Sequence, residues 1–204
     1  MRRALVLALC LAASAWALPA AACYTGLVLI PTTDVTPAYT WAVDLQYQGY
    51  SAAFRTDALI LNTEVGIMDR AEIGLDFDLT SEAHADRRAL FNAKLVLYRN
   101  PESGVALAAG LTNYHTRFAP VAYLVGSKDL GAFRLQAGAQ YDRDASRWDG
   151  FVGLDRSFES GWSVMADYTT GEENFASAGI GWQAAERLGS LLGAQWPNGG
   201  GPGV

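Results

Sequence analysis

Apolar and polar residues alternate one by one along most of this chain. In the stretch AEIGLDFDLT (residues 71–80) every second residue is apolar, and the residues between them include three carboxylates. A β-strand places alternate side chains on opposite faces, so this stretch predicts a strand with one apolar and one acidic face. The same pattern recurs in about ten segments of roughly 8–11 residues, which is typical of transmembrane β-barrels.

The connections between these segments have a rhythm of their own. Short turn-forming links alternate with longer polar loops. The short links are residues 68–70, 100–104, 127–131 and 158–161, and the long ones are 51–56, 81–88, 115–120, 142–147 and 169–174. We therefore predict an all-β, antiparallel, up-and-down transmembrane β-barrel of about ten strands, with twelve as the alternative. In outer-membrane barrels the short turns face the periplasm.

The chain divides into four predicted regions: a signal peptide (residues 1–22), an extended N-terminal segment (23–39), a β-barrel (40–183) and a C-terminal part (184–204). For the last region, a strand or a short helix is expected, followed by a flexible Gly/Pro-rich tail. Pro31 argues that residues 26–30 are not a central strand, because proline cannot donate to a ladder. We expect this segment inside the lumen or at its periplasmic mouth.

The first 22 residues have the features of a secretory signal peptide. Two arginines precede an apolar run from Ala4 to Leu18, and small residues follow at 20–22. The run is shorter than the about 20 residues that a spanning helix needs, so we expect export to the bacterial outer membrane. Cys23 then stands at the mature N-terminus, where lipoproteins carry their lipid. An incidental cysteine is the alternative, because Ala20 stands where such sites usually have leucine.

Composition bears on which face meets lipid. The chain is 50% hydrophobic and only 18% charged, whereas soluble domains are about 25% charged. The non-apolar face is rich in small residues, which suit a narrow lumen. We predict that the apolar face, including Val121, Tyr123 and Val125, contacts lipid. Aromatic residues near segment ends fit interfacial girdles: Trp41, Tyr47, Trp148, Trp162, Tyr168 and Trp182. The rival is a soluble periplasmic barrel that binds an apolar ligand.

The predicted lumen is acidic. Its carboxylates are Asp44, Glu64, Glu72, Asp76, Asp78, Asp149, Asp155 and Asp167, and the opposing cations are Lys94 and Arg134. One hypothesis is a polar network that braces a filled barrel, with both cations paired to carboxylates. The other is a narrow cation-preferring pore.

Other functional classes find little support in the sequence. A net charge of −6 with no basic stripe argues against a nucleic-acid partner. No spacing fits a metal site, and we assign no cofactor and no catalytic residue. The chain has two histidines, His84 and His115. Because Ser81, Glu82 and Asp86 lie near His84, a rim enzyme that acts on lipid or glycan is a third hypothesis.

The stretch CYTGLVLIPTTDVTPAYTWAVDLQY resembles the start of bacterial outer-membrane proteins of the YjbH type, which are associated with exopolysaccharide. In that family a G-L-x-x-I-P-T-A stretch precedes the first strand. The matching residues are Gly26, Leu27, Ile30, Pro31 and Thr32, whereas Thr33 replaces the usual alanine. The stretch VGIMDRAEIGLDF also resembles a turn of that family. The resemblance implies an outer-membrane barrel linked to polysaccharide-export components, and the predicted barrel itself implies contact with membrane lipid and the outer-membrane assembly machinery.

Overall fold

The computed structural model describes residues 26–48, 58–79, 89–114, 119–185 and 188–199, which contain eleven β-strands and no helix. The strands are β1 (Trp41–Gln48), β2 (Ala58–Met68), β3 (Ala71–Asp78), β4 (Ala89–Asn100), β5 (Val105–Tyr114), β6 (Val121–Asp129), β7 (Arg134–Asp142), β8 (Arg147–Ser157), β9 (Trp162–Thr169), β10 (Phe175–Ala185) and β11 (Leu188–Pro197). All belong to one sheet in chain order, and each strand pairs antiparallel with the next. The all-β, up-and-down prediction is confirmed.

The C-terminal region adds an eleventh strand to the about ten that the pattern predicts. The strand β11 pairs with β10 along its length, with Gly193 opposite Gly179 and Leu192 opposite Ile180. The helical alternative for this region is therefore wrong: Leu188, Leu191 and Leu192 have the spacing of a helix, but the available edge of β10 draws the segment into the ladder. With an odd number of strands, β11 runs in the same direction as β1. No helix in the described part of the chain has the length and hydropathy to cross a membrane.

The connections lie at the two ends of the strands, which we call the short-turn edge and the long-loop edge. The short-turn edge joins β2 to β3, β4 to β5, β6 to β7, β8 to β9 and β10 to β11; the long-loop edge joins the other pairs. The predicted long loop at 142–147 is in fact a four-residue turn, because β7 and β8 extend to Asp142 and Arg147. The Asp142 carboxylate caps this turn by accepting the backbone N–H groups of Asp144 and Ala145 at 2.9 and 3.0 Å.

The two faces of the sheet have the reverse of the usual burial. On β3, Ile73 and Leu75 are 37% and 42% exposed, whereas Glu72 is only 5% exposed. Other strands repeat this arrangement, with exposed apolar side chains at Val43, Leu95, Leu124, Val152, Leu154 and Ile180 and buried polar ones at Asn62, Lys94, Gln136, Asp149 and Asp167. We call these the apolar face and the polar face. Soluble proteins do not normally bury charge and expose aliphatic side chains in this way.

The polar face is concave and surrounds the N-terminal segment, residues 26–38. Val28 packs at Gly179 and Gly193 on β10 and β11, whereas the Thr36 backbone binds Glu72 on β3. In a flat sheet, β3 and β10 would lie about 33 Å apart, which is more than the about 28 Å that eight fully extended residues can span. The sheet must therefore curve around the segment.

Strand β6 faces the opposite way from its prediction. Tyr123 and Val125, which the pattern assigns to lipid, are buried on the polar face, and Leu124 is exposed on the other. They belong to an apolar cluster together with Leu27, Ile30, Val96, Ala108 and Phe151. The inversion has a physical reason: the N-terminal segment brings apolar side chains to the concave side, and β6 supplies part of the core that receives them.

Candidate functional site

The N-terminal segment has two halves of different character. In the turn half, residues 26–31, the backbone folds back: Gly26 pairs with Pro31, and the Leu27 N–H donates to the Ile30 carbonyl at 2.9 Å. The sequence predicts an extended chain here, and the structure has a tight turn. The strap half, residues 32–38, then crosses the polar face and leads into β1.

Apolar packing anchors the turn half. Leu27 and Ile30 are each 2% exposed, and both lie against Gly153 on β8, where a Cβ atom would overlap Leu27. Val28 packs in the same way on β10 and β11: a Cβ at Gly179 or Gly193 would lie 2.9 Å from a Val28 methyl. The small residues that predict a narrow lumen therefore make room for this turn.

A buried carboxylate on β9 fixes the backbone of the turn half. One oxygen of Asp167 accepts the N–H groups of Val28 and Leu29 at 2.9 and 3.0 Å, and the other accepts the Ser177 hydroxyl. Asp167 is a predicted lumen residue, and its partners are the chain's own amides. Hydrogen bonds to an ionised acceptor are stronger than neutral ones, and they compensate the burial of this charge.

A second buried carboxylate, Glu72 on β3, holds the strap half. One oxygen of Glu72 accepts the Thr36 N–H at 2.7 Å, and the other pairs with the Lys94 ammonium at 2.9 Å. Lys94 also donates to the Asp34 carbonyl at 2.8 Å. These buried charges thus bind both each other and the strap.

Asp34 brings basic side chains together from distant strands. Its carboxylate pairs with Arg134 on β7 at 2.6 Å, and Arg134 also donates to Asp155 on β8 at 3.1 Å. Arg99 on β4 lies 4.0 Å from the Asp34 carboxylate and donates to the Thr33 carbonyl at 3.1 Å. Lys94 and Arg134 thus both pair with carboxylates, which agrees with the bracing hypothesis.

Sequence reasoning missed Arg99 because the strand pattern is interrupted there. A bulge lies between the pairs Val96–Ala108 and Tyr98–Leu107, so Leu97 has no partner in the ladder. The extra residue shifts the alternation by one, and Arg99 comes to the polar face in place of Tyr98. The local sequence gives no signal of this shift, since alternation alone assigns Arg99 to the lipid side.

A cavity of about 280 Å³ adjoins the turn half on the polar face. Leu29 and Pro31 form one wall, and the other walls come from strands β2 to β7: Glu64, Glu72, Gly74, Asp76, Asn92, Ala93, Lys94, Thr112, Asn113, Val121, Tyr123 and Gln140. Asp76 accepts a hydrogen bond from Asn92 at 2.6 Å, and Glu64 accepts one from the Thr36 hydroxyl at 3.4 Å. Because Lys94 pairs with Glu72, the charge left on the walls is negative.

The remaining predicted lumen residues lie outside this cavity. Asp44 accepts from Asn62 at 3.2 Å, and buried Asp149 pairs with Arg147 at 3.0 Å. Asp78 is half-buried at the end of β3 near the long-loop edge. Asp155 takes part in the Arg134 pair described above.

Several predictions concern residues outside the described ranges: the signal peptide, the lipidation site Cys23, His84, His115, and the residues near His84 (Ser81, Glu82 and Asp86). Among the described residues, no group of three or more His, Cys, Asp or Glu side chains is arranged to hold a metal ion. No protein-family model matches the chain, and neither a curated protein nor a solved structure is significantly similar to it.

Proposed function

We propose that this protein is a bacterial outer-membrane β-barrel with a structural or accessory role in the cell envelope. The observation that carries the proposal is the reversed burial of the sheet, with aliphatic side chains exposed outside and paired charges buried inside. Full burial of a large apolar side chain contributes about 1.5–3 kcal/mol, and in water these half-exposed side chains would forgo part of it. Contact with lipid would remove these side chains from water, which favours an outer-membrane barrel over a soluble periplasmic barrel.

Closure of the sheet is part of the proposal. The polar face already surrounds the N-terminal segment from β2 to β11, and a membrane offers no partner for an open strand edge. Since β1 and β11 run in the same direction, the barrel would close through one parallel pair.

Strand length and aromatic positions support insertion into a bilayer. The strands have 8 to 12 residues, and a tilted membrane strand needs about 9–11. Exposed aromatic rings lie near both edges. Tyr98, Phe133, Trp162 and Trp182 are near the short-turn edge, and Trp148, Tyr168 and Trp196 are near the long-loop edge. Such rings suit the two membrane interfaces.

Membrane fractionation with a matched pair of variants tests this proposal. The wild-type protein should stay with outer membranes and need detergent for extraction. Leu75→Arg places a charge on the apolar face, where it should cost about 2–4 kcal/mol if that face is at the bilayer midplane, and the inserted fraction should fall. Ala145→Arg places the same charge in the exposed β7–β8 turn and should insert normally. Recovery of wild-type protein in a soluble fraction without detergent would contradict the proposal.

A second candidate function is a narrow cation-preferring pore, which the negatively charged cavity favours. If the pore exists, currents across a planar bilayer should favour cations. The double variant Glu64→Gln, Asp76→Asn should weaken that preference, whereas Glu159→Gln in the exposed β8–β9 turn should leave it unchanged. Equal cation and anion currents in wild-type protein would exclude this function.

The resemblance to the YjbH type leads us to include polysaccharide export in the proposal. We expect the protein to work beside export components of the envelope. Loss of the gene should then reduce surface polysaccharide, and an unchanged amount would remove this part of the proposal. The rim-enzyme hypothesis has a similar test, because His84→Ala and His115→Ala should alter the envelope lipid or glycan profile if it holds.

A further inference from the structure

We propose that the N-terminal segment, residues 26–38, is a displaceable plug that closes the interior of the sheet and is latched by Asp34. The inference rests on the proposed barrel and adds a conformational device to it. A plug must meet three conditions: it must block the interior, it must be able to leave without unfolding the sheet, and it must be held by a limited set of contacts.

The segment blocks the interior from one side to the other. Its strap half binds side chains from β2, β3, β4, β6 and β7, and its turn half packs on β8, β9, β10 and β11. The cavity that reaches the segment ends at Leu29 and Pro31, which belong to the turn half. Displacement of the segment would therefore extend this cavity toward the short-turn edge.

The segment can leave without breaking the ladders of the sheet. Its recorded bridges are Gly26–Pro31, which is internal to the turn, and Ala38–Gly66, at the entry to β1. The hydrogen bonds described above between residues 26–37 and the sheet all use side chains of the strands. The other contacts are packing, which includes the close approach of the Thr36 and Pro37 carbonyls to Gly66. The pairings of β1 to β11 are made between the strands alone and do not include the segment.

Asp34 is the latch because its carboxylate joins the segment to β7. Asp34 is 45% exposed and Arg134 33% exposed, so this ion pair is open to water, in contrast to the buried Glu72–Lys94 pair. Arg134 keeps a second carboxylate, Asp155, which belongs to the sheet. The chain therefore offers a matched pair of variants. Asp34→Ala removes the ion pair between the segment and Arg134, and Asp155→Ala removes the ion pair between Arg134 and β8.

The experiment measures release of the segment by thiol labelling in a Cys23→Ser background. Thr33 is 1% exposed, so a Thr33→Cys thiol should react with a water-soluble maleimide only when the segment leaves. Loss of a partly exposed ion pair changes an equilibrium by up to about fivefold. We expect Asp34→Ala to speed labelling by about that factor and to raise bilayer conductance, whereas Asp155→Ala should change both much less.

A disulfide lock tests the proposal independently of whether Asp34→Ala folds. The Thr33 and Ser127 hydroxyl oxygens lie 2.7 Å apart, so Thr33→Cys with Ser127→Cys can form a bridge. When the lock is oxidised, bilayer openings should cease, and reductant should restore them.

Each outcome decides between the two proposals. If the wild-type protein is not inserted in membranes, the barrel proposal fails, and labelling is compared only among variants that insert as the wild type does. If they are inserted but labelling is as slow in Asp34→Ala as in wild type, the segment is not displaceable and the plug is refuted. Fast labelling without increased conductance, or openings that persist when the lock is oxidised, would also refute it, because the segment would then close no path.

Discussion

The turn half and the strap half of the N-terminal segment lie on the same face of the sheet. Both are held by a buried carboxylate, Asp167 or Glu72, but only the turn half adds apolar packing and only the strap half adds a partly exposed ion pair. Leu27, Val28 and Ile30 of the turn half fill spaces above glycines, and their fit depends on shape. Asp34 and Thr36 of the strap half depend on charge and hydrogen bonds. Salt does not weaken apolar packing and screens buried charges little, whereas it weakens partly exposed ion pairs. One segment thus combines a firm anchor with an adjustable one.

The largest difference between the halves should come from removal of a buried carboxylate. Asp167→Ala leaves the N–H groups of Val28 and Leu29 without their acceptor. Each unsatisfied group should lower the free energy of unfolding by about 1–3 kcal/mol. The urea midpoint of unfolding, followed by the gel shift of the folded barrel, should fall strongly. Asp34→Ala in the strap half should lower it much less, because water replaces the lost partner. Equal losses would mean that both halves are held in the same way.

Shortening an apolar side chain of the turn half should have the next largest effect on stability. Leu27→Ala removes a side chain that is buried between Gly153 and the apolar cluster, and such changes cost about 2–5 kcal/mol. The control Leu124→Ala deletes the same atoms on the exposed apolar face and should cost less. Both are measured by urea unfolding in the same detergent. A larger loss for Leu124→Ala would show that the turn half is not part of the core.

Salt should affect only the strap half. At 1 M salt the screening length falls to about 3 Å, which weakens the partly exposed Asp34–Arg134 pair. Amide hydrogen exchange of residues 33–36 should then speed up, whereas exchange of residues 27–30 should not change. Asp34→Ala is the control, because it should remove most of the salt dependence. A uniform response along residues 27–36 would contradict the division into halves.

Much of the sheet could be predicted from sequence because charge marks one face of most strands. In AEIGLDFDLT the carboxylates of Glu72 and Asp76 label the polar side, and Ile73 and Leu75 fall on the other. Strand β6 was misassigned because Val121, Tyr123 and Val125 alternate with Ala122, Leu124 and Gly126, so neither face carries a charge in this part of the strand.

The contacts of the N-terminal segment could not be predicted in the same way. Asp34 pairs with Arg134, which lies 100 residues further along the chain, and local alternation contains no information about such a distance. Pro31 showed that the segment is not a central strand, but neither the turn at 26–31 nor its site above Gly153 has a local signal. These features depend on the curvature of the whole sheet.

The smallest effect is expected at Gln136, which lies on β7 between the two halves. Its ladder neighbours are Ser127, which binds Thr33 of the strap, and Gly153, which faces the turn. Gln136 is fully buried, and neither polar atom of its amide has a hydrogen-bond partner among the described residues. An unpaired buried amide costs about 1–3 kcal/mol, so Gln136→Met should leave the urea midpoint unchanged or raise it slightly.

The control for Gln136→Met is Ser127→Ala, which removes a formed hydrogen bond. It should lower the free energy of unfolding by about 0.5–1.5 kcal/mol, and the urea midpoint with it. If Gln136→Met lowers the urea midpoint as much as Ser127→Ala does, the Gln136 amide has a hydrogen-bond partner after all. Because Gln136 lies between the two halves, such a partner would link the turn half to the strap half. We would then expect both halves to be released together. An unchanged or raised midpoint leaves the halves independent, which is the condition under which salt loosens the strap while the turn stays in place.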